Sequence, residues 1–205
     1  MTTTVSAAPA TRTLAAFTPA QAQRTYRAAL EAMARPGDVQ HLPDVEALEG
    51  RPAAAALLLA LADLMSPVAG LDDADAALTA EVARITGAPL VPLAQARMVL
   101  STRPPAPRRL LELPPGSAWL PEHGALLAQQ VTALGERATD GPCLLLSGPG
   151  VDGVRELRVD GLTAEALADR DERCRDFPAG VDLVLVAPDG AVAALPRTTR
   201  IEVTS

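Results

Sequence analysis

The chain has 205 residues, 48% of them hydrophobic and 21% charged, with a formal net charge of −7. Such a chain suits one folded domain that buries roughly 70% of its unfolded surface, and the composition excludes a disordered protein. The acidic balance argues against nucleic acid or an anionic membrane as partner, since both require a basic surface.

Two absences narrow the chemistry. All 18 basic residues are Arg, and neither Lys nor Asn occurs. The Ala- and Pro-rich background makes this a compositional bias, so abundant Arg is not itself a sign of function. Without Lys the chain cannot form the Schiff base of a pyridoxal phosphate enzyme or complete a Walker A loop, and no cofactor is expected. Cys143, Cys174, His41 and His123 are isolated in sequence and give no zinc-ligand spacing, so no metal is expected. Cys143 opens an apolar stretch and reads as a core residue; Cys174 sits among charges and reads as an exposed thiol. No charged residue precedes Arg12 and no apolar signal segment is present. The longest apolar run, residues 53–61, is far short of the roughly 20 residues that span a bilayer. A cytoplasmic protein is expected.

Residues 1–13, rich in Thr, Ala and Ser, read as a flexible tail ahead of a single domain over 14–205. A helix starts at Thr18-Pro19-Ala20-Gln21, where Thr18 caps, Pro19 suits the first turn and Gln21 reaches back as in a capping box. Ala22, Tyr26, Leu30 and Met33 give it an apolar face, and Pro36-Gly37 stops it. A second helix over residues 52–65 is apolar nearly all round and should be buried. A third, over 75–86, ends at Gly87 with Pro89 beyond. The pattern then changes. Residues 98–101 form a short strand, and the Pro-rich stretch 103–116 is a connection with one helical turn. Residues 125–134, 143–147, 154–159, 181–186 and 191–195 are strands, with a tight hairpin at Asp189-Gly190 between the last two. A helix over 164–174 is capped by Thr163, and 201–203 adds a final strand. Helices first, then strands with few helices between them, predict an α/β domain with a mixed β-sheet flanked by helices.

Gly148-Pro149-Gly150-Val151-Asp152-Gly153 fits G-x-G-x-x-G behind an apolar strand. A dinucleotide site needs a helix to begin there, so that its amides meet the pyrophosphate. Six residues with alternating Leu157 and Val159 follow, and then a turn at Asp160-Gly161. The glycines therefore read as a wide turn between strands.

Several segments recur in a telling order. Phe17, Gln23 and Tyr26-Arg27 lead to Met33-Ala34-Arg35-Pro36-Gly37. Residues 57–63 precede Ser66-Pro67-Val68, and Pro121-Glu122-His123-Gly124-Ala125 is followed by Leu146-Ser147-Gly148-Pro149-Gly150-Val151. Phe177-Pro178-Ala179-Gly180-Val181-Asp182 and Pro196-Arg197-Thr198-Thr199 close the series. After residue 14 the chain is similar over nearly its whole length to the PhnH subunit family of the bacterial carbon–phosphorus lyase system. It departs in a longer tail, in Ala179 where Leu is expected, and in Leu126 where Thr is usual. The resemblance implies a subunit of a multi-protein core complex for phosphonate catabolism, a homodimer, and a fold like the large domain of pyridoxal phosphate transferases without the cofactor. That complex is associated with forming ribose 1-phosphonate 5-triphosphate from a nucleoside triphosphate and a phosphonate.

The candidate ligand or subunit contacts are Arg35, Glu122, Asp182, Arg197, Thr198 and Thr199; no catalytic residue is assigned. Arg35 is either part of a helix exit or a bidentate fork for a phosphoryl oxygen. Glu122 is either a solvated carboxylate or an interface partner. Asp63, at a buried helix end, calls for a hydrogen bond or ion pair. Asp182 enters a strand of Val and Leu, and the hairpin brings it near Arg197, so an ion pair is expected there. That pair either closes the sheet, or Arg197 and the two Thr hydroxyls face a phosphoryl group or a partner subunit. Nothing places a histidine beside Ser147. Three readings stand: a contributor to a composite nucleotide or phosphonate site, a purely structural scaffold, and a stand-alone nucleotide-binding enzyme resting on the glycine turn.

Overall fold

A computed structural model describes residues 14–204, so the expected tail at 1–13 lies outside the described residues. Helix α1, Pro19–Ala34, opens with the capping box: Thr18 N–H donates to Gln21 Oε1 at 2.9 Å, and Gln21 N–H donates to Thr18 Oγ1 at 3.3 Å. The face it buries is only in part the expected one, since Met33 packs against the core. Thr25, Ala29 and Ala32 pack inward, while Tyr26 and Leu30 are half exposed. Small residues let the helix axis approach its neighbours closely, and that proximity outweighs the larger apolar stripe.

Strand β1, Gln40–His41, follows, then a 3-10 turn. Helix α2 covers only Ala55–Leu61, shorter than expected at both ends, because residues 53–54 form a turn and Ala62 is already extended. Its first five residues are buried, as its unbroken apolarity requires. Strand β2, Val68–Gly70, leads to α3, Ala76–Thr86, which ends on Gly87 in the left-handed conformation at φ 75°.

Strands β3 (Met98–Ser101), β4 (Leu126–Gln130), β8 (Asp182–Val186) and β9 (Ala191–Leu195) join β1 and β2 in a six-stranded mixed sheet of order β1-β9-β8-β4-β3-β2. β2, β3, β4 and β8 are mutually parallel, and β9 returns antiparallel across the Asp189-Gly190 hairpin. A second sheet departs from the expectation of one. β5 (Ala133–Leu134), β6 (Cys143–Ser147), β7 (Arg155–Asp160) and β10 (Arg200–Thr204) form it in the order β10-β6-β7-β5. The expected strand over 125–134 therefore divides between two sheets.

The result is three layers. α1–α3 cover one face of the large sheet with Val68, Leu100, Ala128, Val184 and Val192 beneath them. On the other face Val99, Leu127, Leu183 and Leu185 meet Leu144, Leu146 and Leu157 of the second sheet and Leu167 of helix α4, Ala164–Arg173. Burial on both faces explains why the central strands are almost continuously apolar. β5, β6, β7 and α4 together form the crossover from β4 to β8, and β10 joins the second sheet after β9. Among the described residues no helix is long and apolar enough to cross a membrane.

Candidate functional site

The amino ends of the parallel strands carry the site. Asp182 is the first residue of β8, and the register Leu183↔Leu195 sets it opposite the residue just before Arg197. The expected ion pair forms: Arg197 Nη2 lies 2.6 Å from Asp182 Oδ2, Nε donates to the same carboxylate at 3.1 Å, and the Arg197 backbone N–H donates to Oδ1 at 2.7 Å. Both side chains are largely shielded, at 14% and 16% exposure. Arg197 Nη1 donates to the carbonyls of Pro121, at 2.7 Å, and Pro178, at 3.3 Å. One guanidinium thus ties three chain segments that are distant in sequence.

Two glycines make room for it. A Cβ on Gly124 would lie 2.3 Å from Gly180 O and 2.8 Å from the Arg197 guanidinium, and one on Gly180 would lie 2.9 Å from Arg197 Cβ. The same edge is laced by backbone bonds from Gly180 N–H to Pro115 O and from Asp182 N–H to Ala125 O. The glycine pattern in Pro121-Glu122-His123-Gly124 and Phe177-Pro178-Ala179-Gly180 is therefore the imprint of a guanidinium buried between them.

The other expected residues lie around this node. Thr198 is exposed; Thr199 is buried, its N–H bonded to Pro196 O and its Oγ1 without a hydrogen-bond partner. Glu122 lies in a short 3-10 turn with its carboxylate exposed, and its carbonyl accepts from Arg97 Nη2 at 2.8 Å. Arg35 stands at the exit of α1, exposed and paired with Glu31 at 2.9 Å, and takes no part in the Arg197 hydrogen bonds. The glycine turn connects antiparallel β6 and β7, and no helix follows it, which removes the dinucleotide geometry. It packs instead: a Cβ on Gly150 would meet Ala34 O at 2.3 Å, and one on Gly148 would meet Thr198 O at 2.9 Å. The turn thus bridges the end of α1 and the Thr198 segment.

A family model described as "Bacterial phosphonate metabolism protein (PhnH)" matches residues 15–202. The chain belongs to the PhnH family. A C-P lyase subunit protein named HtxG, from Stutzerimonas stutzeri, is 35% identical over 201 residues, which cover 97% of this chain and 95% of that protein.

Three details of this PhnH-family chain differ from the sequence reading. Cys174 is half buried, not exposed, and its thiol donates to Val181 O at 3.4 Å. Asp63 lies beyond α2 in solvent and closes a local turn, accepting from Ser66 Oγ and Met65 N–H, both at 2.8 Å. The Ser66 hydroxyl first, and the Met65 amide next, hold its carboxyl below the usual carboxylate range. Arg170 of α4 went unremarked. It is 2% exposed and lies beneath the Pro196–Arg197 segment, with Nη2 bonded to Pro196 O. Its signal was present in the sequence, since it falls four and three residues after Ala166 and Leu167 on the stripe that α4 buries. Among the described residues no cluster of His, Cys, Asp or Glu could hold a metal ion.

Proposed function

We propose that this chain is a subunit of the carbon–phosphorus lyase system, acting in the cytoplasm within a core complex of phosphonate-pathway subunits and present there as a homodimer. In that complex a phosphonate displaces the base of a nucleoside triphosphate at the ribose, giving ribose 1-phosphonate 5-triphosphate and the free base, before a separate radical iron–sulfur subunit cuts the carbon–phosphorus bond. The observation that carries the reading is the family match over residues 15–202, joined by the relative's description as a C-P lyase subunit. The layered architecture supports kinship with the large domain of pyridoxal phosphate transferases, from which this Lys-free chain would keep the fold and not the cofactor.

Within the assembly the chain contributes binding and order, not a nucleophile. Arg197 spends its donors on Asp182, Pro121 and Pro178, which supports a positioning role for it. Its neighbours Thr198 and Arg200, both exposed, are the groups of that segment that can meet a ligand or a partner. The test is a tagged pull-down from phosphate-starved source cells, read by native mass spectrometry. Recovery with other phosphonate-pathway subunits supports the proposal. Recovery as a lone monomer or dimer, where those subunits are expressed, rejects it. Arg197→Ala then separates the two roles: loss of assembly marks a scaffold, and loss of turnover in an intact complex marks a composite site.

A further inference from the structure

An open cleft of about 290 Å³ lies behind the Arg197 node, between the last turn of α4 and the start of β10. Arg170, Asp171, Phe177, Thr198, Thr199 and Arg200 line it. Its floor carries two unsatisfied donors. Arg170 and Thr199 are each 2% exposed, yet Arg170 Nε and Thr199 Oγ1 find no hydrogen-bond partner. A guanidinium buried with an idle N–H is costly, and such a group calls for an acceptor. The rim adds a cation, since Arg200 is exposed and makes no ion pair among the described residues. Arg197 is neutralised by Asp182, so the opposing charge in the cleft is Asp171 alone, whose carboxylate takes Arg170 Nη1 at 2.7 Å and is 47% exposed.

We propose that this cleft binds a phosphoryl-class oxyanion, either the phosphate chain of a nucleotide or the phosphono group of a phosphonate. Arg200 and the Thr198 hydroxyl reach it from the rim, and Arg170 and Thr199 hold it from below. Asp171, held on the Nη1 of the same guanidinium, opposes the oxyanion as a like charge and swings outward when one binds. A tetrahedral group with several acceptor oxygens suits guanidinium forks and hydroxyls set around one point. The space accepts the charged group and leaves the rest of the ligand over Phe177, which is 66% exposed at the rim and offers a ring face to a base. The choice of ligand rests on the phosphonate-pathway reading above; the existence of the cleft does not.

Calorimetric titration of the full chain with ATP, methylphosphonate and inorganic phosphate tests it. Arg200→Ala should weaken binding about tenfold, and Thr198→Val should weaken it less. Asp171→Asn, at an exposed site, should tighten it about threefold by removing that like charge. Melting curves check that these surface variants remain folded. Binding of ATP alone assigns the triphosphate, binding of methylphosphonate alone assigns the phosphono group, and mutual competition assigns the shared chemistry. Silence from all three probes overturns the proposal, as does wild-type affinity in Arg200→Ala and Asp171→Asn. The pull-down above is independent. An intact assembly without binding rejects the cleft and leaves the subunit reading in place, and binding without assembly does the reverse.

Discussion

The two edges of the parallel strands differ in how far their hydrogen bonds are concentrated on one side chain. At the amino edge a single side chain, Arg197, donates outward to a carboxylate and to two backbone carbonyls. At the carboxyl edge the bonds are spread over several side chains, some donating, as Arg109 Nε to Leu71 O at 3.0 Å and Gln129 Nε2 to Arg103 O at 2.8 Å, and some accepting from the backbone. Asp75, 2% exposed, accepts from Asp72 N–H at 3.0 Å and from Thr102 N–H at 2.9 Å, and Gln130 Oε1 accepts from Ala54 N–H at 3.0 Å. Each of these acceptors joins two segments: Asp75 links the loop after β2 to the one after β3, and Gln130 links the end of β4 to the start of α2. The amino edge concentrates three loops on one charge and requires glycine wherever they cross. Removing that charge should therefore do more damage than removing any single cap.

Arg197→Ala is the largest break, because it leaves Asp182 shielded and unpaired. A loss of about 4 kcal/mol, or a fall of about 10 °C in melting temperature, is expected in thermal unfolding. Gly124→Ala attacks the same node by crowding, since its Cβ would collide with Gly180 O and the guanidinium. It should cost about 3 kcal/mol in urea unfolding without changing the slope. At the carboxyl edge Asp75→Ala strands the Asp72 and Thr102 amides and should cost about 2 kcal/mol by the same measurement. Equal losses for Arg197→Ala and Asp75→Ala would erase the contrast between the edges.

Acid should produce the smallest effect, acting through caps away from both edges. Glu81 is held below the usual carboxylate range by the Leu14 amide first, against burial, with Arg51 and Arg84 adding. For Asp160 burial acts upward but is outweighed by the amides of Thr139, Gly141 and Asp140. Depressed folded values mean that the unfolded chain binds more protons. The stabilisation is thus full above the ordinary carboxylate values of about 4 and is lost as pH falls through the lower folded ones. Unfolding curves from pH 6 to 3 should show this decline, and Asp160→Asn should flatten it.

Much of this was legible from local chemistry. Thr18 with Gln21 gave the start of α1, Gly87 the end of α3, and Asp189-Gly190 the hairpin that sets Asp182 beside Arg197. Elements that depend on contact between distant segments were not legible. β1 and β2 have two and three residues, too few for any alternation to register. The split of residues 125–134 follows from which sheet each half can reach, and the buried face of α1 from how closely Ala29 and Ala32 approach their neighbours. At the site, Asp182 and Arg197 stood out because charges flank apolar strands. The carbonyls of Pro121 and Pro178 that receive Arg197 carry no side-chain signal at all.

Hydrogen exchange on wild type and Arg197→Ala tests most directly whether one guanidinium organises the amino edge. Amides at Gly180, Asp182 and Ala125 should lose protection in the variant, while those at Asp72 and Thr102 on the carboxyl edge keep it. Unchanged protection at the amino edge, or an equal loss at both, would contradict the account.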